Sequence, residues 1–338
     1  MKKSIIIISV LIQFILAESI EPFHLRVMAT TNVSGETDPC GWKKKPLGGL
    51  ARKATILDNV KRDGIPTMVV DAGNLFFKKV NLVGVNADVT KMMAEIIRDA
   101  YNVIGCDGFS PGAQDFAGGL EFLLELESGA GFPFLSSNIH DKSGNKLFDS
   151  YRIINVGSKK IGLIGATSHF EHNDLDVSDP ISSIDKIIDE VLSKSDVIIL
   201  LFHASEEDIK RLHGHNFPIN LVVQSKNRRK SSDGGNNNTP VFSCGSRGKY
   251  VYQFDLNIDN AELALVDISP HENKIKIADK RLKRLKRGNN TDTLEEIYKG
   301  DVNNLDLIKT LKEQKNQSEK IISQAINTLN YKEIPLDK

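Results

Sequence analysis

Between residues 23 and 270, short runs of consecutive apolar residues alternate with amphipathic segments, and several of the runs stop at small or polar turn-forming residues. Met68-Val69-Val70 runs into Asp71-Ala72-Gly73-Asn74, and Val197 to Leu201 runs into Phe202-His203-Ala204-Ser205. Apolar runs of four to eight residues without alternation are strands covered on both faces. Interleaved with helical periodicity they give a βαβ rhythm and an α/β chain. Strands are expected at His24–Ala29, Thr67–Asp71, Val103–Ile104, Phe134–Ser137, Tyr151–Val156, Lys160–Gly165, Val197–Leu201 and Asn220–Val223. Tyr250–Ile258 alternates like a solvent-facing strand, followed by 262–268. Helices are expected at Gly48–Val60, Ala87–Asp99, Leu120–Glu127 and Ile184–Leu192. Residues 226–239, KNRRKSSDGGNNNT, bury no apolar surface and read as a mobile loop.

The two ends have a different character. Lys2 and Lys3 precede an apolar run from Ser4 to Leu16, and Ala17-Glu18-Ser19 offers small residues for cleavage. This is the pattern of a secretory signal over residues 1–19. The run is about 13 residues, short of the about 20 that a spanning helix needs. The expectation is an exported chain, periplasmic or extracellular, soluble once the signal is removed; a retained anchor is the alternative. Residues 20–275 read as the folded domain. Residues 276–338 are polar and helical in pattern, with Leu305, Ile308, Leu311, Ile321, Ile322, Ala325 and Leu329 on an interrupted apolar stripe over 291–330. Such helices pack on the domain or dock a protein partner.

At 338 residues, with 40% hydrophobic and 26% charged residues, the chain builds a substantial core. Its 44 basic and 44 acidic residues cancel, so global charge gives no argument for nucleic acid or an anionic surface. Locally, Lys280 to Arg287 (KRLKRLKR) is a basic run, read as an exposed helix face or as a contact for phosphate or lipid. Cys40, Cys106 and Cys244 are odd in number and match no zinc spacing, so at least one is free or pairs outside the monomer. His169, His172, Asp174 and Asp176 crowd one loop, either solvated or metal-binding. Trp42 with Lys43 to Lys45 lies in an exposed-looking loop, a possible contact site.

Five segments in order carry a more specific signal: ATTNVSG at 29–35, VVDAGN at 69–74, GFSPGAQDF at 108–116, ILLFHAS at 199–205 and INLVVQSKNRR at 219–229. Together they resemble the metallophosphoesterase (calcineurin-like) domain of 5′-nucleotidases, whose segments read TNDxHG, DxGD, GNHEF, SHxG and GGHSH. Pro39-Cys40-Gly41-Trp42 followed by Gly48-Gly49-Leu50-Ala51-Arg52 is similar to a divergent bacterial branch with Pro-Cys-Gly-Cys and GGLAR, with Trp42 in place of the second Cys. Phe132 to Ile139, Lys160 to Gly165 and Gly248 to Val251 also match the family frame. The resemblance covers residues 23–270 and implies two sheets packed face to face, helices outside, and a metal site on loops at the strand ends, here with a C-terminal helical appendage. The resemblance implies a further C-terminal domain that shapes specificity in those nucleotidases; residues 276–338 are not expected to supply it, which weakens a nucleotide reading.

The family's chemistry uses two metal ions about 3.5–4 Å apart, held by carboxylates, imidazoles and an amide oxygen. Here Asn32 and Ser34 stand for the Asp and His of the first motif, and Asn74 for the bridging Asp of DxGD. Ala113 and Gln114 stand for the Asn and His of GNHE, and Asp115 for its Glu. Lys226 and Arg228 stand for the last two His, unless His213 and His215 take their place in a shifted register. Asp71 and His203 keep a ligand-type side chain; each also has a structural reading, as a turn Asp and a strand-end histidine. The resemblance therefore implies an exported pseudoenzyme with no expected cofactor, acting in binding or as a structural partner. The alternative is a phosphate-ester or nucleotide hydrolase with one divalent ion on a shifted set from Asp71, Asn74, Asp115 and His203.

Overall fold

In the computed structural model, the structure describes residues 23–41, 46–235, 239–260, 263–286, 288 and 291–337. The proposed signal (1–19), Trp42 to Lys45 and Arg287 lie outside the described residues. The first half of the chain runs β1 (Phe23–Thr30), α1 (Leu50–Lys61), β2 (Thr67–Asp71), α2 (Ala87–Ile104), β3 (Gly108–Phe109), α3 (Leu120–Ser128), β4 (Ile139–Asp141), β5 (Tyr151–Val156), β6 (Lys159–Thr167) and β7 (Leu175–Val177). The second half runs α4 (Pro180–Lys194), β8 (Val197–His203), α5 (Glu206–His215), β9 (Leu221–Ser225), β10 (Val241–Phe242), β11 (Tyr250–Ile258), β12 (Val266–Asp267), α6 (Ser269–Leu285), α7 (Leu294–Ile297), α8 (Val302–Gln324) and β13 (Thr328–Pro335).

Two sheets face each other. One has the order β12-β13-β11-β1-β2-β3, the other β10-β9-β8-β6-β5, and β4 pairs with β7 apart. Leu25, Val27 and Ala29, alternate residues of β1, meet Leu163, Ile199, Leu201 and Val223 of the second sheet in one core. The outer faces are covered by helices. Met28 and Val69 pack under Leu57 of α1, and Ile164, Ile198 and Leu200 under Ile181, Ile184 and Ile188 of α4. β1 runs parallel to β2, and β8 parallel to β6 and β9. The polar residues that close these strands therefore gather at one rim of the sandwich.

Five expectations need correction. Val103–Ile104 is the last turn of α2, because Ala94, Ile97, Tyr101 and Ile104 keep one helix face buried to its end; the strand is Gly108–Phe109. Phe134–Ser137 makes isolated bridges, Phe134 to Phe109 and Leu135 to Asp149, and no full strand. β11 is not solvent-facing: it sits between β1 and β13 with Tyr252, Phe254 and Leu256 in the core. The C-terminal stripe is helical only to Gln324. Thr328–Pro335 then pairs antiparallel with β11 along its length, because β11's outer edge needs hydrogen-bond partners. α6 starts at Ser269, so the change of character placed at 275 falls inside it. All three cysteines are unpaired. Among the described residues, no helix is long and apolar enough to cross a membrane.

Candidate functional site

The site forms where β1, β2, β8 and β9 end. Register places Thr30 beside Asp71 and His203 beside Ser225. Four of its residues, Asn32, Ser34, Asn74 and Lys226, have φ between 51° and 71°, a region that non-glycine residues seldom occupy. The loops are thus held in a shape that serves the rim rather than local preference.

Asn32 is fully buried. Its Nδ2 donates to the carbonyls of Asn227 (2.9 Å) and Gly245 (3.0 Å), and its Oδ1 accepts from Asn74 Nδ2 and from the Lys226 N–H, both at 3.1 Å. Two donors and two acceptor sites are all an amide has, so Asn32 is saturated inside the protein. A carboxylate here would set an oxygen against two carbonyl oxygens. Asn74 accepts on Oδ1 from the Gln114 N–H at 3.2 Å. Ser34 Oγ donates to the Asn32 carbonyl at 3.2 Å.

Asp115 sits in the 3₁₀ turn Ala113–Phe116 and is fully buried. Its Oδ1 accepts from the N–H groups of Leu75 and Phe76, and its Oδ2 from those of Asn74 and Gly112, all at 2.8 Å. Burial raises its pKa to about 7, and the N–H donors oppose that rise. With four N–H groups on two oxygens, this carboxylate ties two loops together and offers nothing outward. Ala113 carries no donor, and Gln114 donates from Nε2 to the Lys78 carbonyl at 3.1 Å while its Oε1 is buried without a partner.

His203 is buried at the end of β8. Ser225 Oγ donates to the Ala72 carbonyl at 2.6 Å, so it accepts from His203 Nδ1 at 2.8 Å; this network assigns the proton to Nδ1. Burial drives the imidazole pKa down to about 3, and the nearby Lys226 ammonium adds to the fall. Gly112 passes close: a Cβ there would lie 2.6 Å from His203 Nδ1 and 2.7 Å from Asn74 Oδ1.

Asp71 turns away from this cluster. It accepts from Thr30 Oγ1 (2.5 Å), Tyr101 OH (2.9 Å) and the Gly73 N–H (2.9 Å). Lys53, also buried, donates to Thr30 Oγ1 at 2.9 Å and lies 3.9 Å over the Tyr101 ring. Burial lowers the Lys53 pKa and raises that of Asp71, each partly offset by the other's charge. Sequence reading missed this cluster. Its one visible signal was a Lys on the apolar stripe of α1, between Leu50 and Leu57.

Lys226 and Arg228, both exposed, follow β9 directly, and the backbone of 226–227 bonds to Asn32. His213 and His215 lie on α5, bonded to the carbonyls of Thr239 and Arg211. The direct register holds at this position. His169 and His172 bond within their own loop, to Val177, Glu171 and Asp174.

No family model matches the chain. It is similar to the 5′-nucleotidase of Bos taurus, 25% identical over 250 residues, covering 68% of this chain and 41% of the relative. The 5′-nucleotidase of Vibrio cholerae is 26% identical over 264 residues, covering 64% and 46%. Among solved structures it is similar to the calcineurin-like phosphoesterase YfkN of Bacillus subtilis, with a TM-score of 0.60, 22% identity, and coverage of 70% of this chain and 86% of that one. The chain carries a metallophosphoesterase domain of the 5′-nucleotidase type. It spans less than half the length of these two curated relatives.

Within this phosphoesterase domain the donor set does not fit a two-metal centre. Among the described residues no three His, Cys, Asp or Glu side chains converge. Asn32 and Asp115 are saturated by protein partners, and Asp71 is turned to Lys53. The donor atoms left at the rim include His203 Nε2, which has no hydrogen-bond partner among the described residues, Gln114 Oε1 and Ser110 Oγ. All are neutral, and the Lys226 ammonium stands near His203. Two divalent ions need anionic oxygens to screen their mutual repulsion, and none faces inward here.

Proposed function

We propose that this chain is an exported metallophosphoesterase-fold protein without hydrolytic turnover, acting as a binding or structural partner. The observation that carries the reading is the saturation of Asn32. Its amide spends every hydrogen bond on Asn74, Lys226, Asn227 and Gly245. The ligand position of the fold has become a clasp between the loops after β1, β2 and β9. A clasp keeps the rim rigid without metal, and the surface of the fold stays available for contacts.

The test is the metal content of the full chain purified from its native host, together with hydrolysis of AMP and p-nitrophenyl phosphate with added manganese or zinc. The expected result is far less than one ion per chain and no turnover above buffer. Two tightly held ions, or turnover abolished by His203→Ala, overturns the reading. Export rests on residues 1–19 and is checked by sequencing the mature N-terminus, expected at Glu18 or Ile20.

A further inference from the structure

Some cations on or beside other helices are ion-paired: Arg62 with Asp58, Lys194 with Glu190, Lys312 with Glu295 and Lys315 with Asp279. α6 concentrates cations without such pairs. It and the residue after it place seven basic residues between Lys274 and Lys286. None of the seven makes an ion pair among the described residues. The two acids of the helix are occupied elsewhere: Asp279 with Lys315 at 2.7 Å, and Glu272 accepting from Asn330 at 2.6 Å. In a chain with 44 basic and 44 acidic residues, this is a local concentration of positive charge without acidic partners.

The face has a shape as well as a charge. α6 is 17 residues, about 25 Å long; it packs with α8 and directly follows the edge strand β12, at the opposite edge of the sheet from β3. Arg281 and Arg284, one turn apart, overhang a hollow of about 390 Å³ whose wall includes Leu285, Asn304 and Leu307. No acid lines it. Ile277, 43% exposed, lies one turn before Arg281 on the same helix face, and Leu307, 40% exposed, lies across the hollow. Unpaired cations interleaved with outward apolar side chains on one helix suit an interface where phosphates overlie hydrocarbon.

We propose that the α6–α8 face docks on an anionic lipid surface, with Arg281 and Arg284 on headgroup phosphates and Ile277 and Leu307 at the acyl boundary. A nucleic acid shares the phosphate chemistry but gives the two apolar side chains no role. The face also offers no exposed aromatic for base stacking; Tyr298 is buried and donates to the Leu285 carbonyl.

The test uses the full chain in co-sedimentation with vesicles of phosphatidylcholine, with and without about 30% phosphatidylglycerol, at about 0.1 M salt. Binding is expected only with the anionic lipid. Arg281→Gln with Arg284→Gln should weaken it about 30-fold, taking each cation near the surface at its usual contribution. Ile277→Ser with Leu307→Ser should weaken it severalfold at unchanged charge, with the far-UV circular dichroism of both variants matching the parent. Absence of binding, equal binding to both vesicles, or indifference to the arginine pair overturns the proposal. Tight binding of a duplex DNA that the serine pair leaves intact replaces the membrane with nucleic acid and also overturns it.

Discussion

Replacing Asp115 by Ala tests whether the rim is a clasp or a ligand set. The parent carboxylate satisfies four buried N–H groups, those of Asn74, Leu75, Phe76 and Gly112, each at 2.8 Å. A buried donor left without a partner costs about 1–3 kcal/mol. Four give about 4–12 kcal/mol, and two effects push toward the low end. Water enters the space left by the carboxylate, and removing the buried charge relieves the desolvation that lifts its pKa to about 7. The expected loss is about 4 kcal/mol, or roughly 8–16 °C in melting temperature for a domain of this size. Asp115→Asn keeps the shape but turns an NH₂ toward two of the N–H groups, so about half that loss is expected. Urea unfolding followed by far-UV circular dichroism reads both. Residues kept for binding ordinarily leave stability unchanged or improved when removed. A Asp115→Ala variant within about 1 kcal/mol of the parent therefore refutes the structural role.

The remaining predictions follow the same logic. Asn74→Asp replaces an amide that donates to Asn32 Oδ1 at 3.1 Å with a buried charge facing that oxygen; a loss of about 2–4 kcal/mol is expected, and recovery of the stability by manganese would falsify the non-metal reading of the rim. His203 stays neutral in the folded chain down to about pH 3, whereas the unfolded chain takes up its proton below about pH 6.5. Stability from this group is therefore present above about pH 6.5 and lost as pH falls toward 3, by about 2–3 kcal/mol at pH 4.5. The loss is read as the parent-minus-His203→Gln difference in urea unfolding, where Asp115, whose raised pKa acts in the opposite direction, cancels; parallel pH profiles defeat the prediction. Gly112 has an ordinary φ of −99°, so Gly112→Ala reports space alone. Its Cβ contacts of 2.6 and 2.7 Å with His203 and Asn74 predict a loss of about 2–3 kcal/mol in thermal melting, and an unchanged melt contradicts the close approach.

Most strands of the sandwich core were legible because a run of apolar residues stands out whatever surrounds it; β10, only Val241–Phe242, was too short to read. Val197–Leu201 is such a run, and its strand extends only to His203. β13 was not legible: Thr328–Pro335 is mostly polar, and only the vacant edge of β11 makes it a strand. α5 was missed for a similar reason, since Glu206–His215 buries little beyond Asp208 and Leu212 and its start depends on the Ser205 cap. At the rim, the motif frame located the positions without revealing the bonds. Asn32 reaches Asn227 and Gly245, partners 195 and 213 residues away. Asp115 had been a candidate for binding, and the backbone of two loops occupies it instead.

The sequence by itself determined the alternating apolar skeleton, the order of the loops at its rim, and the exchange of anionic and imidazole side chains for amides, a hydroxyl and a methyl group. Those are properties of residue type and spacing, which the chain carries before it folds. The tertiary structure decided whether the remaining donors point at one another or at open space. Hydrogen bonding saturates: once β1, β2 and β9 bring Asn32 to Asn74, Lys226 and Asn227, no valence is left for an ion, and only the folded geometry sets that count.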